Sequence, residues 1–177
     1  MKLDPKYFNG FIAVCAILAL LAIVYSTIRY SQKQVTDFRN NIAEVELDTL
    51  AFRSYTNPDS LNLKNLSEYP VVLQFWSTWS GKSQQVNEFL HEFSSEQPGF
   101  TIVAAAVRDG EEQVLEYMNQ VNYDFYFVEG TEFYQTIYIP GIPVQILIKK
   151  NGELFATHIG DDTEQLKEKI IKLLSDE

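Results

Sequence analysis

The chain has 177 residues, 46% hydrophobic and 14% aromatic, and 24 acidic against 14 basic side chains give it a formal net charge of −10. This length fits one globular domain with an appendage, and the negative charge argues against nucleic acid as a partner, since phosphates need a basic face. The single cysteine, Cys15, with only two histidines, excludes an intramolecular disulfide, a Cys-X-X-Cys redox centre and a zinc site of the usual composition, so no metal or cofactor is predicted.

A flank of residues 1–7 leads into an uncharged, strongly apolar run over residues 8–28. As a helix, this run would be about 30 Å long, which matches the hydrocarbon thickness of a bilayer. The sequence therefore predicts one retained transmembrane helix. A cleavable secretory signal is the alternative, but no small-X-small cleavage site stands at Tyr25 to Arg29. The basic residues on the two flanks nearly balance, so charge does not choose the orientation.

The composition changes again after the apolar run. Residues 29–49 are polar and compatible with a helix, without a strong apolar stripe, which predicts a stalk that holds the rest of the chain off the bilayer. Residues 50–177 are long enough to form a globular domain with its own core. This domain is acidic, so anionic lipid headgroups would repel it.

The domain is predicted to alternate strands and helices. It begins with a short hairpin or strand-turn-helix over residues 51–66, turning at Asn57-Pro58-Asp59-Ser60. The elements that follow are a strand at 70–76, a helix at 83–95, a strand at 100–107, a helix from Asp109 to Val121, a strand at 123–128, a short helix at 131–137, strands at 144–149 and 154–159 joined around Asn151-Gly152, and a last helix capped by Thr163. This order predicts an α/β fold with a mixed sheet and helices on both faces.

Two segments of the domain carry a family resemblance. Residues 71–83 read VVLQFWSTWSGKS, and residues 141–154 read GIPVQILIKKNGEL. They resemble the strand that enters the Cys-X-X-Cys helix, and the cis-proline strand with its hairpin, in membrane-anchored thioredoxin-like proteins of the thiol-disulfide oxidoreductase and peroxiredoxin-related kind. The resemblance covers about residues 50–177 and implies a thioredoxin-like fold. It places the family's two cysteine positions at Ser80 and Ser83, and its cis-proline at Pro143.

The family's chemistry does not follow from its fold here. Thiol-disulfide exchange needs a thiolate at the helix amino-terminus and a second cysteine to resolve the mixed disulfide. A serine hydroxyl is far less acidic and forms no disulfide, so no catalytic residue is predicted. Ser80 is expected to cap the helix, which is typically worth about 1 kcal/mol. Ser83, one turn further on, is expected to pack near Pro143 without a chemical role.

Two other chemistries are excluded by spacing. A nucleophilic serine needs a base within hydrogen-bond reach, but His91 is eight residues beyond Ser83 on the same helix, about 12 Å away, and nothing brings His158 close. A phosphate-binding loop ending in Gly81-Lys82-Ser83 would need another glycine where Trp76 stands.

The surface left by the missing cysteines is the predicted binding site. In the resembling family, the residue before the cis-proline pairs through its backbone with an extended peptide, and Ile142 has that place here. Trp79 and the Ile142-Pro143 edge would then form a shallow apolar groove; Trp76 could belong either to this surface or to the core. The sequence predicts a single-pass membrane protein whose thioredoxin-like domain, outside the cytoplasmic membrane by analogy, binds or scaffolds another protein.

Two alternatives remain open at the level of sequence. The chain could be a membrane-tethered thiol-disulfide oxidoreductase whose cysteines at positions 80 and 83 were replaced by serine. It could also be a structural subunit that interacts through its helix and stalk. The sequence names neither the partner nor the oligomeric state.

Overall fold

The computed structural model describes residues 5–176; residues 1–4 of the predicted flank and residue 177 lie outside the described residues. The described chain forms five α-helices and seven strands. They are α1 (Pro5–Ala43), β1 (Ala51–Phe52), β2 (Leu61–Asn62), β3 (Val71–Trp76), α2 (Gly81–Glu96), β4 (Thr101–Ala106), α3 (Glu111–Gln120), β5 (Tyr126–Glu129), α4 (Thr131–Thr136), β6 (Val144–Ile148), β7 (Leu154–Ile159) and α5 (Thr163–Ser175), with 3₁₀ turns at Leu47–Thr49 and Leu63–Leu66. The predicted order of strands and helices is confirmed.

The main sheet has five strands in the order β5-β4-β3-β6-β7. Strands β3, β4 and β5 are parallel, whereas β6 and β7 run antiparallel to their neighbours. All six residues of β3 are buried, as expected for a continuous apolar run at the centre of a sheet covered on both faces. The β3–β6 register pairs Val71 with Ile148 at one end and Phe75 with Val144 at the other.

Two layers of side chains cover the sheet. On one face, Leu73 and Phe75 pack with residues from the end of α1, from α4 and from the two 3₁₀ turns. On the other face, Val72 packs with α2 and α5, while Trp76 packs with α3 and β5. Because side chains alternate along a strand, Gln74 faces the same layer as Val72 and Trp76.

The predicted stalk is only partly correct. Residues 29–43 continue α1 without a break, and Phe38 and Ile42 are fully buried in the core beneath the sheet, together with Leu47. The core therefore begins before the predicted domain boundary at residue 50. A few apolar residues at helical spacing are enough to dock the helix, although the polar residues between them conceal the stripe in the sequence.

The starts of two helices differ from the prediction. Asp109 does not begin α3, whose first helical residue is Glu111, because its carboxylate bonds to the loop after β3. The cap of α5 is Asp162, which accepts from the Gln165 amide, and Thr163 is the first helical residue. The other boundaries agree to within a few residues, the usual uncertainty of helix and strand ends.

The apolar part of α1 is long and hydrophobic enough to cross a membrane. The candidate span begins at Asn9, and its most apolar window has a mean hydropathy of 2.6 with no residue buried against the domain. Large apolar side chains such as Phe11, Leu18 and Ile23 are each more than half exposed. Length and composition suit an anchor, and an amino-terminal signal sequence has the same properties.

Candidate functional site

The loop between β3 and α2 is held tightly against the end of β4. Ser77 Oγ donates to the Val107 carbonyl. The Thr78 amide and hydroxyl both donate to the Asp109 carboxylate, at 2.5 and 2.9 Å. Gln84 Nε2 donates to the Thr78 carbonyl at 2.5 Å. These bonds connect the loop to a neighbouring strand and to its own helix, so they fix where α2 begins.

Ser80 caps α2, as predicted. Its backbone is extended, and its Oγ accepts a hydrogen bond from the Ser83 amide at 3.3 Å, while its carbonyl accepts from the Gln84 amide. This is the geometry of an N-cap, in which a side-chain oxygen satisfies one of the free amides of the first turn. The hydroxyl oxygen is therefore a structural acceptor at the position where the resembling family has its nucleophile.

Ser83 is fully buried, and its Oγ has no hydrogen-bond partner among the described residues. Pro143 is also buried, and the Ile142–Pro143 peptide bond is cis. The pairing of Phe75 with Val144 places Pro143 at the edge of the sheet from which the loop to α2 leaves. The two serines and Pro143 are thus at one edge, and packing of Ser83 against Pro143 stays a prediction.

Ser80→Ala and Ser83→Ala should have opposite effects on stability. Loss of the cap should lower the free energy of unfolding by about 1 kcal/mol. Removal of the Ser83 hydroxyl, which is buried without a partner, should leave stability unchanged or raise it slightly, since an unsatisfied buried polar group is itself costly. Urea unfolding of the two variants measures the difference. A larger loss for Ser83→Ala would show that the Ser83 hydroxyl makes a stabilising hydrogen bond.

The two tryptophans have different environments. Trp79 is 66% exposed at the edge of the sheet, whereas Trp76 is fully buried. The Trp76 ring lies 4.6 Å from that of Tyr117 and contacts Phe127 edge-on. Burial raises the pKa of Tyr117 to about 12. Trp76 therefore belongs to the core, and Trp79, with partly buried Ile142, is available to a ligand.

The histidines do not activate either serine. His91 stacks on Tyr123, with ring centroids 4.5 Å apart. His158 is buried on β7 beside Lys169, whose Nζ lies 3.4 Å from its Nδ1. Burial, reinforced by the charge of Lys169, lowers the pKa of His158. Within residues 9–176, no histidine nitrogen is hydrogen-bonded to Ser80 or Ser83, and no group of three His, Cys, Asp or Glu side chains is arranged for a metal.

Lys82, which lies between Ser80 and Ser83, forms an ion pair with a residue of a different loop. Lys82 Nζ lies 3.1 Å from the Asp161 carboxylate, which belongs to the loop between β7 and α5. The hydrogen bond from Lys82 lowers the pKa of Asp161. This exposed ion pair joins the start of α2 to the start of the last helix, and it gives Lys82 a role other than phosphate binding.

A polar layer between the sheet and α2 was missed in the sequence. Gln145 Nε2 donates to Gln74 Oε1 at 2.6 Å across the β3–β6 pair, and Gln145 is in turn opposite His158 on β7. The buried side-chain atoms without a partner among the described residues are Gln74 Nε2, Trp76 Nε1, Ser83 Oγ, Asn87 Oδ1, Gln145 Oε1 and His158 Nε2. The available signal was a single glutamine within each of two otherwise apolar strands.

The sequence model of the thioredoxin-like family matches residues 68–154, which include β3, α2, the loop with Pro143 and β6. The chain carries a thioredoxin-like domain. The fold and the resemblance predicted from sequence are both confirmed by this match.

Curated relatives of the domain are named for disulfide chemistry. The chain is 26% identical to thiol-disulfide oxidoreductase ResA of Halalkalibacterium halodurans over 123 residues, covering 67% of this chain and 70% of the relative. It is 27% identical to ResA of Bacillus cereus over 109 residues, covering 59% of this chain and 63% of the relative. Similarity at this level does not carry catalysis over, because activity depends on individual site residues rather than on the fold.

Solved structures give the same fold. Thiol:disulfide interchange protein DsbE from Chlorobium tepidum aligns with a TM-score of 0.65 and 22% identity, over 73% of this chain and 95% of that one. StoA from Bacillus subtilis aligns with a TM-score of 0.55 and 19% identity, over 68% of this chain and 95% of that one. At these identities the likeness concerns the fold alone.

Proposed function

We propose that the chain is a single-pass membrane protein that presents a thioredoxin-like domain as a non-redox module for binding or scaffolding another protein. The observation that carries the proposal is the chemistry of positions 80 and 83. Ser80 Oγ is a helix cap and Ser83 Oγ is buried, and the one cysteine of the chain, Cys15, is in the apolar part of α1. Neither serine can take part in thiol-disulfide exchange.

The binding surface is the edge formed by Trp79, Ile142 and Pro143. Trp79 is exposed, Ile142 is partly buried against the core, and the backbone of Ile142 immediately precedes the buried proline. An extended peptide would bind here by main-chain hydrogen bonds, with the tryptophan supplying apolar contact area. Such binding requires no cysteine, cofactor or metal.

The proposed location is the cell membrane, with the domain on the extracytoplasmic side. The apolar part of α1 has the length and hydropathy of a membrane span, and the named relatives act on disulfides, which persist in oxidising compartments outside the cytoplasm. Protease added to intact cells should degrade the domain if it is outside, and should leave it intact if it is cytoplasmic.

The binding role of the domain is tested by deletion. Full-length protein and a form ending at residue 37, before the first buried core residue Phe38, are purified from membranes under the same conditions. We expect the specific partner to be recovered with the full chain only. Equal recovery with the shortened form would instead support the alternative in which the chain is a structural subunit that interacts through its helix.

One observation favours the alternative enzyme function. The Asp109 bonds to Thr78 and the Ser80 cap hold the start of α2 in a fixed position, as a redox site also requires. If the natural residues at positions 80 and 83 were cysteines, this scaffold would support a membrane-tethered thiol-disulfide oxidoreductase. The codons for these two positions in the source genome decide between the readings.

A further inference from the structure

The apolar helix and the proposed binding edge are at the same end of the domain. Asn41 Nδ2 of α1 donates to the Ile137 carbonyl at 3.4 Å. Tyr138 shares one cavity with α1 residues between Tyr30 and Asn41. After α1 ends, the chain reaches the opposite end of the sheet, where Leu47 and Asp48 line a second cavity with Gly152 of the β6–β7 turn. The helix thus crosses the sheet from the Tyr138 end to the Gly152 end.

The strand register identifies which end carries the binding edge. Ile148, close to the β6–β7 turn, pairs with Val71 at the beginning of β3. Val144 pairs with Phe75 at the other end, where β3 leads into Trp79 and where Pro143 precedes β6. The apolar residues of α1 precede Tyr30 on a continuous helix. They therefore extend away from the domain at the end of the sheet that carries Trp79. If that segment spans a bilayer, the Trp79 edge faces the membrane surface.

The distance between this edge and the bilayer is short. From Ile28, the last residue of the uncharged run, to Asn41, whose side chain bonds to the Ile137 carbonyl beside Tyr138, the helix rises by about 20 Å. The headgroup layer occupies roughly 5 to 8 Å of that rise, and any tilt of the helix reduces the gap further. A folded domain of about 100 residues has a radius of gyration near 13 Å and does not fit. An extended chain does fit, since it takes up only about 5 Å, the distance between neighbouring strands.

The surface chemistry favours a protein over lipid as the occupant. Trp79 is 66% and Tyr138 71% exposed, and aromatic side chains of this kind suit the level of a membrane interface. However, residues 41–177 contain 22 acidic and only 9 basic side chains, so the domain as a whole is repelled by anionic headgroups. Apolar contact with a neighbouring protein segment avoids that repulsion.

We infer that the occupant of the Trp79 edge is an extended segment of another membrane protein, immediately next to one of its transmembrane helices. This inference rests on the proposed binding function and adds the class of partner. Because the Trp79 edge faces the membrane, this edge and the juxtamembrane segment of the partner would lie at the same distance from the bilayer. Their shared position raises the effective concentration of the segment at the edge.

The orientation can be measured without any partner. Full-length protein is placed in phosphatidylcholine vesicles that contain a lipid with a nitroxide on its headgroup, and Trp79 fluorescence is taken as the difference between wild type and Trp79→Phe. The control is Tyr69→Trp in the Trp79→Phe background, since Tyr69 is half exposed just before β3, at the other end of the sheet. We expect several-fold stronger quenching at position 79. Equal quenching, or stronger quenching at position 69, overturns the orientation.

The partner class is tested separately by photo-crosslinking. A benzophenone amino acid replaces Tyr138, or Tyr69 as the control, in full-length protein in native membranes, and the crosslinked peptides are sequenced. We expect adducts at position 138 within about six residues of an apolar transmembrane segment, since an extended chain covers about 20 Å in six residues. Adducts with a soluble folded domain or with lipid alone overturn the inference. A yield no higher than at position 69 also overturns the inference, while the deletion experiment still decides the proposed binding function and the quenching result decides the orientation.

Discussion

Placing cysteines at positions 80 and 83 should convert the domain from a redox-inactive protein into a disulfide reductase. Wild type is expected to reduce insulin at the rate of buffer, whereas Ser80→Cys with Ser83→Cys should exceed that rate by roughly tenfold or more. The physical reason is that Ser80 already caps α2, so a thiol there would lie at a helix amino-terminus, which lowers its pKa toward the reactive thiolate. A thiol at position 83 would then resolve the mixed disulfide.

The matched control uses the other end of the same helix. Ser94→Cys with Gln97→Cys keeps the spacing of the two thiols, but places them at the end of α2, where the helix dipole has the opposite sign. This variant should stay close to the buffer rate. Equal activity in the two variants would show that thiols at the start of α2 are no more reactive than thiols at its end. Activity of the wild type above buffer would contradict the account of the missing cysteines.

Phe38→Ala should destabilise the domain by about 3 to 5 kcal/mol, the usual cost of removing a fully buried phenylalanine. Phe38 has no exposed surface and packs in the core beneath the sheet with residues such as Phe75 and Ile146. Because a domain of this size has a total stability of about 5 to 15 kcal/mol, this loss is a large fraction of the whole. Urea unfolding of a soluble form beginning at residue 30 measures it.

Asn40→Ala is the control for this substitution. Asn40 lies on the same turn of α1 but is exposed, so its replacement by alanine should change the free energy of unfolding by less than about 0.5 kcal/mol. Equal, small effects at positions 38 and 40 would mean that the second half of α1 does not belong to the domain. The domain would then begin near residue 50, as the sequence predicts.

Most of the fold was predictable because its strands are long apolar runs. Val71–Trp76 and Thr101–Ala106 are buried on both faces, so their composition identifies them without any knowledge of their neighbours. The docking of α1 was not predictable in this way. Phe38 and Ile42 are separated by polar residues on the same helix, and only the sheet against which they pack makes them part of a core.

The candidate site was predicted in outline and not in its contacts. The Trp79 and Ile142-Pro143 edge follows from the family resemblance, and the Ser80 cap follows from the position of a serine before an amphipathic helix. The bonds from Thr78 to Asp109 and from Gln145 to Gln74 join residues far apart in the chain. No local pattern in the sequence specifies such pairs, because strand register brings them together.

Recovery of the bound partner from membranes tests the central claim most directly. Wild type, Ser80→Ala with Ser83→Ala, Trp79→Ala with Ile142→Ala, and the control Tyr69→Ala are purified from the same membranes, and the amount of partner is measured for each. We predict equal recovery with wild type, the double serine variant and Tyr69→Ala, and a loss of about tenfold or more with Trp79→Ala and Ile142→Ala, since exposed aromatic anchors dominate such interfaces. Full recovery with the Trp79 and Ile142 variant would contradict the account.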